Sequence, residues 1–312
     1  MRVIVQNHYD FITTNGYMFT NPESDIGAGL LRPWNDLHAV AKARGIDMFT
    51  PDQHDEGDLL ILVDRPTVIK ATAPRTIAVL YEPDVIIPNN YDKEFLDSCE
   101  KVFTWDDRIV DNEKFIKSNF TTNLQDAIMP TPDEVFTNYH TRKLLCMMNT
   151  YKQSSHPLSI YHKRIEAIRF FTGHARDFDL WGRNWQGHNF STYKGATNDK
   201  LKTLANYRFC LAYENCHSYG YISEKLTDCF MVGVVPVYLG SHNVRDHIPP
   251  ECFVDVNDFR TYEELYEYLV NMPSYEYMDY LVAIRKFITS PDAEQFYNAH
   301  FVDTLLQHME KP

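Results

Sequence analysis

The run Asn206-Tyr-Arg-Phe-Cys-Leu-Ala-Tyr-Glu-Asn215, followed by Tyr219-Gly-Tyr-Ile-Ser-Glu-Lys225 and Val234-Val-Pro-Val-Tyr-Leu-Gly240, constrains this chain more than any other stretch. Phe209, Leu211 and Tyr213 alternate with the smaller Cys210 and Ala212, a β-rich pattern that ends at Glu214-Asn215. A strand therefore carries those two polar side chains to a sheet edge. His217, Ser218 and Gly220 mark a loop, and Ser223 stands where a helix N-cap is expected. Leu226, Cys229 and Phe230 then fall at i, i+3 and i+4, one apolar helix face that stops at Gly233. Strand, loop, helix and strand in that order make a βαβ-like unit. Ligands of open α/β sheets sit outside the carboxyl ends of the strands, and free N–H groups at a helix start favour anions. Asn215, Tyr221, Ser223, Glu224 and Lys225 thus stand where a phosphate-bearing nucleotide would lie. The competing readings are a solvated first helical turn for Glu224 and Lys225, core packing for Tyr221 and turn formation for Asn215.

The rest of the chain repeats the same alternation. Residues 2–6, 58–63, 76–81 and 101–105 read as strands, and 33–44 as a helix with Pro33 near its start and Gly45 just past its end. Met129-Pro-Thr-Pro-Asp133, with two prolines that cannot continue a helix, is the linker candidate. A second series follows at 144–148, 164–171, 178–181, 209–213, 224–232, 234–239, 253–255 and 262–271. The expected class is α/β, with an N-terminal domain over 1–140 and a C-terminal domain over 141–312.

At 312 residues, 44% of them hydrophobic, the chain is long enough for two packed cores. Its formal charge of -13 argues against nucleic acid or an anionic membrane surface as main partner. The six cysteines form no CxxC pair and several lie in apolar runs, so buried thiols are expected rather than a disulfide frame or zinc site. Leu59-Leu-Ile-Leu-Val63, among the longest apolar runs, is far too short to cross a bilayer, and Met1-Arg-Val-Ile-Val-Gln-Asn7 reads as a short strand. The expectation is a soluble, cytoplasmic chain without signal peptide or membrane anchor. Asp106-Asp107 and Asp255-Val-Asn-Asp258 read as caps and turns, so no metal and no other cofactor is expected.

The string ENCHSYGYISEKLTDCFMVGVVPVYLGSHNVRDHIPPECFVDVNDF resembles the donor-binding signature of the α-1,3/1,4-fucosyltransferases, glycosyltransferase family 10. That signature is Glu-Asn, a short loop, Tyr-x-Thr-Glu-Lys and a Pro-Val/Ile-x-x-Gly strand; Ser223 replaces the usual Thr and keeps the hydroxyl. The resemblance continues through Lys163-Arg-Ile-Glu-Ala-Ile-Arg169 and Phe178-Asp-Leu-Trp-Gly-Arg183, and more loosely into Leu80-Tyr-Glu-Pro83 and Phe103-Thr-Trp105. It implies the GT-B architecture, two Rossmann-like domains facing a cleft, in a soluble bacterial-type enzyme. It also implies GDP-fucose as donor, an oligosaccharide as acceptor and an inverting displacement. Arg164, Asn215, Tyr221, Glu224 and Lys225 are the implied donor-binding residues, with Lys163 and Arg169 as alternatives to Arg164. Ile165, Ile168 and Phe171 are expected to form the apolar side of that helix, with Arg164 beside the stripe. Glu82, closing a strand before Pro83, is the implied catalytic base, its pKa raised by partial burial, and Asp84 is its rival. Another nucleotide-linked deoxysugar, or a binding module without catalysis, are the alternative readings. Acceptor contacts are expected from loops 10–25 and 83–90, and the aromatic rings Tyr9, Phe11, Tyr17 and Phe19 are read either as platforms for sugar faces or, for about half of them, as ordinary core.

Overall fold

Short apolar runs too short for helices, separated by amphipathic segments, fold here into two wholly parallel sheets. The structure is a computed structural model and describes residues 1–22 and 29–310. Contacts group the described residues into two units, one of Met1–Thr122, Tyr219–Tyr221 and Glu294–Pro312, the other of Asn123–Ser218 and Ile222–Ala293.

The first unit carries β1 (Arg2–Asn7), β2 (Asp47–Phe49), β3 (Leu59–Val63), β4 (Arg75–Leu80), β5 (Lys101–Thr104) and β6 (Phe115–Lys117), in the order β2-β1-β3-β4-β5-β6. Every residue of β3 is buried, because Leu-Leu-Ile-Leu-Val is apolar on both faces and both faces are covered. The helix Arg32–Ala43 covers one face with Trp34, Leu37 and Ala41. Beside it lies the helix Asn298–Met309, which buries Phe301, Val302, Leu305, Leu306 and Met309 in the same core. The Trp34 and Phe301 rings meet edge to face at 5.3 Å. Arg75 at the start of β4 donates to the last carbonyls of that helix, His308 O at 2.9 Å and Met309 O at 3.1 Å.

The second unit carries β7 (Lys143–Met148), β8 (Phe178–Trp181), β9 (Tyr207–Tyr213), β10 (Val235–Leu239) and β11 (Val254–Asp255), in the order β11-β10-β9-β7-β8. Both sheets therefore begin with the doubly wound order 2-1-3-4-5, whose switch point lies between the first and third strands. That point falls between β1 and β3 in one sheet and between β7 and β9 in the other. These are Rossmann-like sheets of the expected α/β class. The anticipated linker is built into the second unit. Thr131 caps the helix Pro132–Asn138 with a capping box closed by Glu134, and Ile128 N donates to Met231 O at 2.8 Å. The contact boundary thus falls after Thr122 rather than at 140, and the last helix joins the first unit through its apolar face. All six cysteines are buried thiols. Among the described residues no helix is long and apolar enough to cross a membrane.

The place of the terminal helix is testable. Phe301→Ala should cost about 3–5 kcal/mol, the usual loss for a buried aromatic, read as a lower denaturation midpoint. A loss below about 1 kcal/mol, within the range of surface changes, would exclude the helix from the core.

Candidate active site

The strand β9 ends where its last side chains reach the switch point of the second sheet. Glu214, fully buried, turns toward the start of the helix Glu224–Met231. Its Oε1 accepts from Ser223 N at 2.7 Å, and its Oε2 accepts from Ser223 Oγ at 2.7 Å and Lys225 Nζ at 3.3 Å. Ser223 is the N-cap as expected, its Oγ accepting from Lys225 N at 3.4 Å and from Lys225 Nζ at 2.9 Å. The anion at this helix start is thus supplied by the chain itself. Gly240 makes room for it, since a Cβ there would lie 2.4 Å from Glu214 Cγ. Leu226, Cys229 and Phe230 are buried on the anticipated face.

The charges extend into a ladder. Glu224 Oε1 lies 3.7 Å from Lys225 Nζ and 3.8 Å from Lys200 Nζ, and Lys200 Nζ lies 2.5 Å from Asp228 Oδ2. Burial pushes the Glu224 carboxyl up, but the charges of Lys225 and Lys200 outweigh it and hold the group at about 2. Burial also raises Asp228, with Lys200 opposing. Lys200, Lys225, Asn149 and Tyr213 line a cavity of about 10 Å³, room for about one water.

Arg164 lies on the helix Tyr161–Thr172, which follows β7, and is only 3% exposed. It sits within the buried stripe Tyr161, Arg164, Ala167, Ile168 and Phe171, not beside it, while Ile165 is half-buried. The reason is a set of partners that hold its Nη2 inside. Nη2 donates to Tyr213 O at 2.8 Å and Asn215 Oδ1 at 2.9 Å, and the group lies over the Tyr161 ring at 4.8 Å. Arg164 and Asn215 are therefore brought together at the carboxyl end of β9. Arg169 is exposed, and Lys163 pairs with Glu166 at 2.8 Å. Tyr221 belongs by contacts to the first unit, buried edge to face against Trp105 at 4.8 Å and Phe120 at 5.6 Å.

Glu82 follows β4 in the first unit and lines a cavity of about 100 Å³ at that sheet's switch point. Asn7 and Tyr9 come to it from the end of β1, Asp64 from β3, and Trp34 and Phe120 complete an aromatic wall. All four backbone polar groups of Tyr81 and Glu82 are held by side chains. Asp64 Oδ1 accepts from Tyr81 N at 2.8 Å and Glu82 N at 3.0 Å; Trp105 Nε1 donates to Tyr81 O and Asn90 Nδ2 to Glu82 O, each at 2.9 Å. Of the loop 10–25 expected to meet an acceptor, residues 23–25 lie outside the described residues. The acidic pairs weighed as metal ligands are engaged by cations: Asp106 with Arg108 at 2.6 Å, Asp107 with Lys117 at 2.5 Å, and Asp255 and Asp258 with Arg245 at 2.9 and 2.8 Å. Sequence reasoning missed Lys200, Asp228 and Asp64. Asp228 stands four residues after Glu224 on one helix face, and Asp64 directly follows an all-apolar strand, so spacing and strand-end position were the available signals. Nothing in the pattern around Lys200 marks it.

A model of glycosyltransferase family 10 (fucosyltransferase) C-term matches residues 140–303, just over half of the chain. The alpha-(1,3)-fucosyltransferase FucT of Helicobacter pylori is 33% identical over 101 residues, 32% of this chain and 20% of the relative. The human 4-galactosyl-N-acetylglucosaminide 3-alpha-L-fucosyltransferase 9 is 38% identical over 87 residues, 27% of this chain and 23% of the relative. The chain thus spans about a fifth of the length of the curated relatives it matches. A crystal structure of an alpha1,3-fucosyltransferase with GDP-fucose superposes at a TM-score of 0.60, 14% identity, covering 100% of this chain and 90% of the other. Anabaena Alr3699/HepE with UDP superposes at 0.57, 8% identity, covering 99% of each. The two-sheet fold is therefore that of GT-B glycosyltransferases.

The ladder makes a pH prediction. The folded pKa of Glu224 lies below its ordinary 4.5. The stability it contributes is complete above about pH 4.5 and is lost as the pH falls toward 2. Melting of the Glu224→Gln variant should decline less steeply than wild type over that acid range, and parallel declines would show that the carboxylate is not held by the lysines.

Proposed function

We propose, from the premise that this chain belongs to glycosyltransferase family 10, the fucosyltransferase family, that it transfers L-fucose from GDP-fucose to a hydroxyl of an oligosaccharide acceptor with inversion at the anomeric carbon. The observation that carries this reading is the cluster at the β7/β9 switch point, where Arg164, Asn215, Glu224 and Lys225 fall inside the family match. The fold by itself does not select the donor, since neighbours of nearly equal likeness hold GDP-fucose and UDP.

In this reading Glu224 accepts from the ribose hydroxyls, a role that suits a carboxylate ionised across the whole neutral range. Asn215 shapes the loop that receives the nucleotide. Lys225 and Arg164 balance with their positive charge the charge that grows on the departing diphosphate. Glu82 takes the proton of the acceptor hydroxyl, the oxygen forms its bond to the anomeric carbon, and the bond to GDP breaks with its electron pair on the diphosphate. The rigid hold on the Tyr81–Glu82 backbone supports Glu82 over Asp84, because a base must be kept in place for proton transfer. No step calls on a metal ion.

Two measurements test this. GDP-fucose should raise the melting temperature, by mass action, more than other nucleotide sugars do. Glu82→Gln should lose at least about 100-fold in transfer, the lower end for a general base, while keeping the shift given by GDP. Full activity in that variant removes Glu82 from the mechanism, and a larger shift with a different nucleotide sugar replaces the donor. Transfer should also persist after dialysis against EDTA; loss restored by a divalent cation would require a metal that this mechanism omits.

A further inference from the structure

Asp64 is the one acidic residue at the end of β3, a strand otherwise wholly apolar, and it adopts a left-handed backbone with φ of 52°. An aspartate tolerates that conformation, and here it turns the carboxylate back along the sheet edge toward β4. Only 3% exposed, it accepts three hydrogen bonds on Oδ1, from Tyr81 N, Glu82 N and Asn90 Nδ2 at 2.8, 3.0 and 2.8 Å. Asn90, itself fully buried, ties the same group to Glu82 O at 2.9 Å and to Arg65 N at 2.6 Å. Asp64 and Glu82 both line the 100 Å³ cavity.

We propose that Asp64 is a positioning residue for Glu82, fixing the Tyr81–Glu82 turn with its carboxyl and setting the charge of the cavity in which that base works. The inference rests on the reading of Glu82 as base. Geometry gives it two parts. The hydrogen bonds from two successive backbone N–H groups to one oxygen hold the direction in which the Glu82 side chain leaves the chain. The carboxylates are also near neighbours in a shared apolar-walled cavity, where like charges raise each other's proton affinity.

Glu82 and Tyr81 are the titratable groups that face Asp64 from the end of β4. Arg65, next in the chain, pairs with Asp92, and His8 from the end of β1 bonds Arg65 O at 2.6 Å. The helix Arg32–Ala43 presents Trp34 to the cavity. Burial, followed by the charge of Glu82, accordingly lifts Asp64 to about 7. A folded value above the ordinary 3.8 means that stability is lost as the pH rises through about 7.

The test compares Asp64→Asn, which keeps the accepting oxygen and removes the charge, with Asp64→Ala, which removes both. Acceptor-dependent transfer from GDP-fucose is followed across pH. For Asp64→Asn kcat should stay within about twofold of wild type, because the oxygen that accepts from Tyr81 N and Glu82 N is kept. For Asp64→Ala kcat should fall at least about tenfold with the donor KM within about twofold, the signature of a misplaced base. A near-normal kcat in Asp64→Ala, or an equal loss of kcat in Asp64→Asn and Asp64→Ala, overturns the inference alone. A Glu82→Gln variant as active as wild type overturns the base reading and this inference with it. A readout without activity decides the charge coupling even if no transfer occurs. Above pH 7, Asp64→Asn should raise the melting temperature, and raise it less in the Glu82→Gln background; equal increments in both backgrounds count against the coupling.

Discussion

The second unit depends on one buried carboxylate. Glu214 is fully excluded from solvent, and an ionised carboxylate with no partners there would cost several kcal/mol. Three donors offset that cost: Ser223 N, Ser223 Oγ and the Lys225 ammonium. All three sit in the first turn of the helix or just before it, so the carboxylate fastens the end of β9 to the start of the helix Glu224–Met231. The helix dipole adds to the attraction, since its positive end faces the anion. Position and charge of Glu224 and Lys225 follow from this fastening. Lys225 is closer to the Ser223 hydroxyl, at 2.9 Å, than to either Glu214 at 3.3 Å or Glu224 at 3.7 Å. Its charge is shared among several oxygens rather than fixed in one tight pair.

The first unit uses the same device with a different charge balance. Its sheet begins with the same strand order, and Asp64 at the end of the third strand accepts backbone N–H groups from the next turn, as Glu214 does. Glu214, however, faces an ammonium, whereas Asp64 faces a second carboxylate. The consequence is opposite electrostatics at two sites of like construction. Across the ladder of the second unit, Lys200 and Lys225 hold Glu224 at about 2, while Asp64 is pushed up to about 7.

Periodicity made most of the strands and the principal helices legible. The run 209–213 lies within β9, and the strand at 178–181 and the helix at 262–271 have the observed bounds. Such segments are legible because their burial pattern is local and repeats every two or three to four residues. Short elements were not: β2 and β6 have three residues each and owe their pairing to neighbours far away in sequence. The grouping of the last helix with the first unit was not legible for a similar reason. The helix Asn298–Met309 has an apolar face that would suit either core, and Trp34 and Arg75, more than two hundred residues earlier, are what it meets. For the candidate site, strand-end position singled out Glu82 and the motif singled out Arg164 and Lys225. The buried placement of Arg164 escaped the periodicity argument because a charged residue in an apolar stripe is read as facing water, unless its carbonyl and amide partners are known.

Position 223 shows why the motif needs a hydroxyl rather than merely a small polar residue. Oγ donates one proton to Glu214 Oε2 at 2.7 Å and accepts from Lys225 Nζ at 2.9 Å and, more weakly, from Lys225 N at 3.4 Å. A single oxygen is therefore donor to the buried anion and acceptor from the cation beside it. Asn and Asp cap helices as well as Ser in general, but aspartate has no proton to give Glu214 and would add a further carboxylate to the cluster. Asparagine has separate donor and acceptor atoms on a longer arm, in a position only 1% exposed. Serine and threonine meet all these demands with one atom, which is why the exchange of one for the other in this motif leaves the electrostatic arrangement intact.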